Sequence, residues 1–145
     1  MRYFVDAEFN GFGGELIAIA AVPERDEVAP FYEAVDCPMP VPWVAANVLP
    51  VLQTRQWPLA KVAQLFSDYL ASDTDAVLIA DWPEDIAHAA SLLTNRRGGR
   101  LIARSVRFEL LGTCDFASEQ RSAVPHNAYY DAVALRDWVA SAGAT

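Results

Sequence analysis

Two carboxylates lie close together near the start of the chain, in the segment Tyr3-Phe4-Val5-Asp6-Ala7-Glu8-Phe9. If this segment is a strand, its side chains alternate between two faces, and Asp6 and Glu8 share one face. Two like charges side by side on a half-buried strand repel each other unless a cation lies between them. The pair therefore indicates a site for a divalent metal ion.

Further residues with suitable chemistry lie downstream. The segment from His126 to Asp131 supplies a histidine and a carboxylate, and Asp85 lies on a predicted helix between the two ends of the chain. Carboxylates that hold divalent ions, together with a histidine that titrates near neutral pH, are components of phosphodiester hydrolysis. Together with Asp6 and Glu8, these residues indicate a metal-dependent nuclease.

Length and composition limit the classes of protein to consider. The chain has 145 residues, of which 53% are hydrophobic and 21% are charged, which is typical of a globular domain. The longest apolar runs, such as residues 16–22, are far shorter than the roughly 18 residues of a membrane span. Asp6 and Glu8 also interrupt the apolar region that a secretory signal requires. We therefore predict a single domain over residues 1–145, in the cytoplasm and without a membrane partner.

The charge distribution is uneven along the chain. A net charge of −8 argues against a general polyanion binder, because nonspecific affinity for nucleic acid comes mainly from Lys and Arg. Six of the 11 basic residues are nevertheless close in sequence: Arg96, Arg97, Arg100, Arg104, Arg107 and Arg121. An arginine-rich segment beside an acidic site fits a phosphodiesterase, with guanidinium groups for phosphates. An ordinary solvated surface is the alternative for each arginine.

Hydrophobic periodicity, glycines and prolines predict the elements that must position these residues. Strands are predicted at 2–9, 15–22, 30–35, 76–80 and 105–111, with a turn at 10–14 that makes the first two a hairpin. Helices are predicted at 43–52, 59–71, 84–93 and 128–140, and Pro50 is expected to bend or end the first of them. An antiparallel meander followed by alternating helices and strands predicts a mixed α/β sandwich.

The motifs and their order resemble the DnaQ-like, DEDDh family of 3′-to-5′ exonucleases. The likeness rests on the D-x-E of Asp6 and Glu8 and on Asp85, which lies early in a helix after an apolar strand. It rests also on the H-x4-D of His126 and Asp131. Within the family, the chain is most similar to small stand-alone bacterial exoribonucleases that begin with Tyr-Phe-x-Asp-x-Glu-Phe. The resemblance implies a ribonuclease H-like fold, with a five-stranded mixed sheet flanked by helices.

The middle motif leaves two interpretations open. Asp85 matches the metal ligand of the family pattern, and Asp81 stands where an asparagine is usual. Asp81 is either a cap of the helix that begins near Pro83 or a carboxylate that exchanges roles with Asp85. His88 competes with His126 for the catalytic position, but its place in the helix favours a partly buried structural residue.

The resemblance implies hydrolysis with two Mg²⁺ or Mn²⁺ ions about 4 Å apart. Asp6 would bridge the two ions. Glu8 and Asp131 would complete one site, and Asp85 would hold the other mainly through water. His126 would take a proton from the attacking water, and nucleoside 5′-monophosphates would leave from the 3′ end.

Substrate contacts are expected from Glu8, His126 and the loop after the first strand. In that loop, Phe12 would stack on the terminal base, and glycines such as Gly11 would let the backbone approach closely. Asn10 is also expected to contact the substrate. A plain hairpin turn is the alternative. The implied substrate is single-stranded RNA or a 3′ overhang, because a chain this short has no room for a separate nucleic-acid domain. Single-stranded DNA is the alternative substrate.

Other classes of function stay open. One is a catalytically silent module that binds nucleic acid or protein, although such a module has no reason to keep four repelling carboxylates. Another is a different metal phosphohydrolase on the same fold, acting on a free nucleotide or a structured junction. Similar enzymes are often homodimers, and Trp43, Trp57 and Trp138 are either interface or core residues.

Overall fold

Alternating and wholly apolar segments of the chain form one mixed six-stranded sheet with helices on both faces. The computed structural model describes residues 1–95, 97–102, 104–112 and 116–142. Within these residues the strands are β1 (Arg2–Phe9), β2 (Leu16–Pro23), β3 (Phe31–Val35), β4 (Gln56–Trp57), β5 (Ala76–Ala80) and β6 (Val106–Leu110). The α-helices are α1 (Pro42–Asn47), α2 (Leu59–Ala71), α3 (Pro83–Leu92), α4 (Ser118–Arg121) and α5 (Ala128–Ala142).

The sheet order is β4-β3-β2-β1-β5-β6, so β1 lies in the interior of the sheet. β1, β2 and β3 pair antiparallel, which confirms the predicted meander. The other pairs are parallel: β1 with β5, β5 with β6, and β3 with β4. Because β5 runs parallel to β1, the turn after β5 lies at the same end of the sheet as the C-terminal end of β1.

The α/β class is confirmed, but the predicted number of five strands is wrong by one. The sixth strand, β4, has only two residues, and two residues give no periodic pattern to recognise. The predicted helix at 43–52 is also too long. It ends at Asn47, and a separate 3₁₀ turn at Leu49–Val51 contains Pro50, which has no backbone N–H for a continuous helix.

The core has a layer on each face of the sheet. One layer packs Tyr3 and Val5 of β1 against α2 and α3 and includes Phe66. On the other face, Phe4 of β1 packs against Leu135 of α5. Asp6 and Glu8 follow Phe4 at two-residue spacing, so β1 directs them towards the face that α5 covers. None of the helices in the described ranges combines the length and apolar character needed to cross a membrane.

The turn between β1 and β2 is tied to α3. Gly14 must be a glycine, because a Cβ at this position would collide with the backbone carbonyl of Asn10. Gly13 has a φ of 70°, and its amide donates a hydrogen bond to the Glu84 carboxylate at 2.6 Å. The turn that follows the Asp6 and Glu8 strand is therefore held beside the first turn of α3.

Candidate metal centre

Four elements bring carboxylates to one end of the sheet. β1 carries Asp6 and Glu8, and β5 ends directly before Asp81. α3 begins two residues later, with Pro83 suited to a helix start, and places Asp85 in its first turn. α5 places Asp131 in its own first turn. These carboxylates thus come from segments about 75 and 125 residues apart in sequence, joined only by the fold.

The carboxylates form two groups that share one member. Oxygen atoms of Asp6, Glu8 and Asp131 all lie within 4.8 Å of one another. Oxygen atoms of Asp6, Asp81 and Asp85 satisfy the same limit. Asp6 therefore lies between two clusters, each with the three hard oxygen ligands that Mg²⁺ or Mn²⁺ accepts.

Among the described residues, the negative charge of this centre has no Lys or Arg partner. Within the described ranges, no Lys or Arg forms an ion pair with any of these five carboxylates. Burial and then the neighbouring Asp85 raise the pKa of Asp6 well above its ordinary value. Burial and then Asp131 raise the pKa of Glu8 to about 8. A bound cation would reverse these shifts, because it favours the charged carboxylates.

Asp85 and Asp131 are buried and held by backbone amides. The amide of Ala7 donates to Oδ1 of Asp85 at 3.2 Å, yet burial and then Asp81 raise the pKa of Asp85 to about 8. The amide of His126 donates to Oδ2 of Asp131, also at 3.2 Å. Burial raises the pKa of Asp131.

The carboxylate of Asp131 interacts with one neighbouring hydroxyl. Oδ1 of Asp131 and the hydroxyl of Ser122 are both buried, and Ser122 lowers the pKa that burial raises, although no well-formed hydrogen bond joins these atoms to a described residue. A cation beside Asp131 would offset the burial of its charge. The hard oxygen atoms present therefore fit a divalent metal ion.

His126 lies directly before α5 in a constrained conformation. Its φ of 66° is in the left-handed region, which is uncommon for a residue other than glycine. Its ring makes an edge-to-face contact with Trp43, with 4.9 Å between ring centres. Next in sequence, buried Asn127 caps α5, since its Oδ1 accepts hydrogen bonds from the amides of Tyr129 and Tyr130. The histidine is thus fixed beside the same helix turn that carries Asp131.

No family model matches this chain, and no curated protein is significantly similar to it. Its function must therefore be inferred from the carboxylates, the histidine and their surroundings.

The structure brings together all four carboxylates that the sequence singled out and adds a fifth, Asp81. The interpretation of Asp81 as a helix cap is wrong, because Trp82 occupies the position before α3 and no side chain caps that helix. Asp81 instead shares a cluster with Asp6 and Asp85. The position of Asp81 after an apolar strand was the one sequence signal for a place in the metal centre. That signal did not distinguish Asp81 from Asp85 as the metal ligand.

The loop after β1 is only partly suited to substrate binding. The side chain of Asn10 donates to the carbonyl of Met39 and accepts from the amide of Val41, so it joins two loops. Gly11 has a φ of 78°, which suits its turn. Phe12 is 88% exposed and has no role in the core. Of the loop residues predicted to contact substrate, Phe12 has the free side chain.

An exposed apolar rim that the sequence did not predict lies beside this loop. Met39 and Val41 are held by Asn10, and Trp43 follows them at the start of α1. Trp82 precedes α3 and donates through Nε1 to the Glu84 side chain that binds Gly13. The four rim residues Met39, Val41, Trp43 and Trp82 are all exposed. Nothing in the periodicity of the sequence indicates that these segments meet.

His88 lies away from the described groups of potential metal ligands. It is half-buried, as predicted, and its ring stacks on Phe9 with 5.4 Å between centres. It helps to line a cavity of about 740 Å³ that also includes Leu59, Leu92 and Arg97. None of the five clustered carboxylates lines this cavity, so it is separate from the candidate metal centre.

The described arginines of the arginine-rich segment lie in different local environments. Both oxygens of Asp75 accept hydrogen bonds from Arg107 at 2.9 Å, and Arg100 donates to the backbone carbonyl of Arg104. Arg121 lies at the end of α4 and lines a smaller cavity with Tyr130 and other α5 residues. Arg96 lies outside the described residues.

The three tryptophans considered for a dimer interface have different environments. Trp57 is partly buried and donates to Glu33, and Trp138 packs on Phe116. Trp43 is 54% exposed and lies at the rim described above. Their positions do not point to a shared interface.

Proposed function

We propose that this protein is a metal-dependent 3′-to-5′ exonuclease with a ribonuclease H-like fold, acting on single-stranded RNA or 3′ overhangs. The observation that carries the proposal is the pair of carboxylate clusters that share Asp6, with His126 fixed beside one of them. The reaction is hydrolysis of the terminal phosphodiester bond to release a nucleoside 5′-monophosphate. The cytoplasmic location stays a prediction from the sequence.

The donor atoms favour Mg²⁺ or Mn²⁺, since all of them are carboxylate oxygens. Asp6, Glu8 and Asp131 would hold one ion, and Asp6 with Asp85 would hold the other, with Asp81 beside them. When bound, such ions offset negative charge on the phosphate and lower the pKa of a coordinated water. The backbone amides of Ala7 and His126 keep the two buried aspartates oriented.

His126 is the proposed general base. It takes a proton from the water that attacks phosphorus, and the bond to the 3′-oxygen of the preceding nucleotide breaks. The backbone amide of His126 donates a hydrogen bond to Asp131, five residues later, and this bond sets the distance of the histidine from the carboxylates. The contact with Trp43 restricts its ring. A base held in place in this way supplies about 10²–10⁴-fold of rate.

The rim supports a single-stranded substrate. Its residues Trp43 and Trp82, together with Phe12 of the loop after β1, have exposed aromatic side chains. Stacking on aromatic side chains suits unpaired bases of any sequence. A net charge of −8 opposes long contacts along a duplex backbone. Short single-stranded 3′ ends therefore fit better than duplexes.

Gel analysis of 5′-labelled RNA and DNA strands of matched sequence tests the proposal. With Mg²⁺ or Mn²⁺ we expect a ladder that shortens from the 3′ end of RNA, and no cleavage in EDTA. His126→Ala should slow the reaction by about 10²–10⁴-fold, whereas the control His88→Ala should stay near the wild type.

Each other result has a defined meaning. A ladder on DNA alone would keep the chemistry and change the substrate. Internal fragments without a ladder, or equal loss in the two histidine variants, would contradict the proposed reaction. No cleavage of either strand would overturn it.

A further inference from the structure

The carboxylate of Glu84 joins two exposed segments of the chain. Its Oε1 accepts a hydrogen bond from the backbone amide of Gly13 at 2.6 Å, and its Oε2 accepts one from Nε1 of Trp82 at 3.3 Å. Gly13 belongs to the turn after β1, and Trp82 directly precedes α3. Glu84 itself lies in the first turn of α3, next to Asp85. One side chain thus connects the segments that follow β1 and β5, the two strands that lead to the candidate metal centre.

The second half of the turn after β1 is anchored by this contact. Within the turn, the amide of Gly14 donates to the carbonyl of Gly11. The amide of Gly13 instead donates outside the turn, to Glu84. Phe12 is 88% exposed, so packing contributes little to the position of its ring, and the backbone on either side must set that position. The bond from Gly13 to Glu84 therefore fixes the residue next to Phe12.

Trp82 is held by the same carboxylate. Its side chain is 49% exposed, and the residue stands between Asp81 of the carboxylate cluster and Pro83 at the start of α3. Hydrogen bonds to a carboxylate are stronger than those to a neutral acceptor, so this bond orients an indole ring that solvent would otherwise leave free. The exposed rings of Phe12 and Trp82 are thus tied to one anchor.

We propose that Glu84 is a positioning residue for the 3′-terminal nucleotide of the substrate, a role that rests on the proposed exonuclease function. Glu84 holds Trp82 and the turn with Phe12 in the arrangement that the terminal base binds. The protein then does not have to order these side chains when the substrate arrives. The adjacent Asp85 is a proposed metal ligand, whereas Glu84 acts on the affinity for the substrate. Loss of its acceptor oxygens should raise KM and leave kcat nearly unchanged.

Glu84→Ala and Glu84→Gln separate the acceptor from the charge. Both variants remove the negative charge beside Asp85, but glutamine keeps a carbonyl oxygen that can accept from Gly13. With 5′-labelled RNA and Mn²⁺, Glu84→Ala should raise KM about three- to tenfold, with kcat within about twofold of the wild type. Glu84→Gln should recover most of this loss. Glu27→Ala, at an exposed position in the turn after β2, is the control and should stay near the wild type.

Two further measurements distinguish substrate positioning from a purely structural role. Amide hydrogen exchange of the free protein should be faster over residues 10–14 in Glu84→Ala, and close to the wild type in Glu84→Gln. An RNA that lacks its 3′-terminal base should raise the KM of the wild type by a similar factor. Glu84→Ala should add little to that loss, because the two changes remove the same interaction. Circular dichroism of each variant checks its folding.

The outcomes separate this role from the proposed function. A wild type that cleaves no RNA would overturn both. Cleavage by the wild type together with an unchanged KM in Glu84→Ala, or with a loss confined to kcat, would overturn only the role of Glu84. Unchanged hydrogen exchange, or additive losses for Glu84→Ala and the missing base, would do the same. Equal KM values in Glu84→Ala and Glu84→Gln would assign the effect to charge and also overturn this role.

Discussion

Asp6 combines an electrostatic cost with a central position. It belongs to both carboxylate clusters, and burial with four acidic neighbours raises its pKa. A residue that destabilises the metal-free protein and has no cation partner in the described ranges is expected where function requires it. Substitution of Asp6 should therefore change stability and activity in opposite directions.

The Asp6→Asn variant tests this expectation. At pH 7.5 in EDTA we expect it to unfold at a higher temperature than the wild type, with a gain on the order of 1 kcal/mol, because an amide avoids the cost of burying an ionisable carboxyl among other carboxylates. Mn²⁺ should stabilise the wild type and not the variant, and activity should fall by at least about 10²–10³-fold. Thermal unfolding and the RNA ladder measure both effects.

Asp137→Asn is the matched control for this variant. Asp137 is exposed and pairs with Arg136, so its removal should bring no gain in stability and no loss of activity. A metal-free Asp6→Asn protein that is less stable than the wild type would contradict the electrostatic interpretation.

Asp81 and Asp85 make a second prediction at this scale. Asp81 is the neighbour that most raises the pKa of Asp85, after burial. Asp81→Asn should lower the pKa of Asp85, so that Mn²⁺ competes with fewer protons at low pH. The affinity for Mn²⁺ should fall from pH 8.5 to pH 6 in both proteins. The ratio of the affinities at the two pH values should be about three- to tenfold smaller for Asp81→Asn than for the wild type.

Mn²⁺ titrations of the two proteins at both pH values measure this difference. Asp85→Asn is the matched comparison, and it should lose binding at both pH values. If Asp81→Asn also lost binding equally at both pH values, Asp81 would be a required ligand rather than a modulator of Asp85.

At the scale of elements, the start of α5 connects the core to the site. Asn127 is fully buried and caps α5 through Oδ1. Its amide group also donates to the carbonyl oxygens of Val51 and Leu52, which belong to the segment after α1. One side chain thus fixes the helix that carries Asp131 against the chain that follows Trp43.

Asn127→Ala should therefore reduce both stability and activity. Loss of a cap and of buried hydrogen bonds should cost about 2–4 kcal/mol of unfolding free energy, measured with urea. Asn47→Ala, which removes one exposed bond to the carbonyl of Trp43, should cost less than about 0.5 kcal/mol. Similar costs in the two variants would show that Asn127 does not have this connecting role.

At the scale of the whole molecule, the acidic centre links stability to pH. The pKa of Glu8 rises from 4.5 to about 8 and that of Asp85 from 3.8 to about 8 on folding. Groups whose folded pKa is raised stabilise the protein fully below their unfolded pKa, and that contribution is lost as pH rises through the folded value. Without metal, the free energy of unfolding should therefore decrease between pH 5.5 and pH 8.5.

Urea unfolding in EDTA at these two pH values measures the decrease, which we expect to be on the order of 2 kcal/mol. Saturating Mn²⁺ should remove or reverse the trend, because the metal binds the deprotonated carboxylates. In Asp6→Asn the decrease should be smaller. A metal-free wild type that becomes more stable towards pH 8.5 would contradict the raised pKa values.

Local signals in the sequence determined much of the architecture. Alternation at residues 2–9 and the apolar run at 76–80 correspond to β1 and β5, and the stripe at 59–71 corresponds to α2. Periodicity succeeds here because it depends on neighbours within one element. The alternation at residues 2–9 also predicted that Asp6 and Glu8 lie on the same face of β1. The two-residue strand β4 and the four-residue helix α4 are too short to carry such a pattern.

Only the tertiary structure decided how distant segments meet. The parallel pairing of β1 with β5 places Asp81 and Asp85 beside Asp6, whereas sequence alone did not choose between the two aspartates. The structural role of Asn10 and the contact of Trp43 with His126 also depend on loops that meet across the fold. Burial, which raises the carboxylate pKa values, is a property of the assembled layers, because a residue's sequence neighbours do not determine which elements exclude water from it.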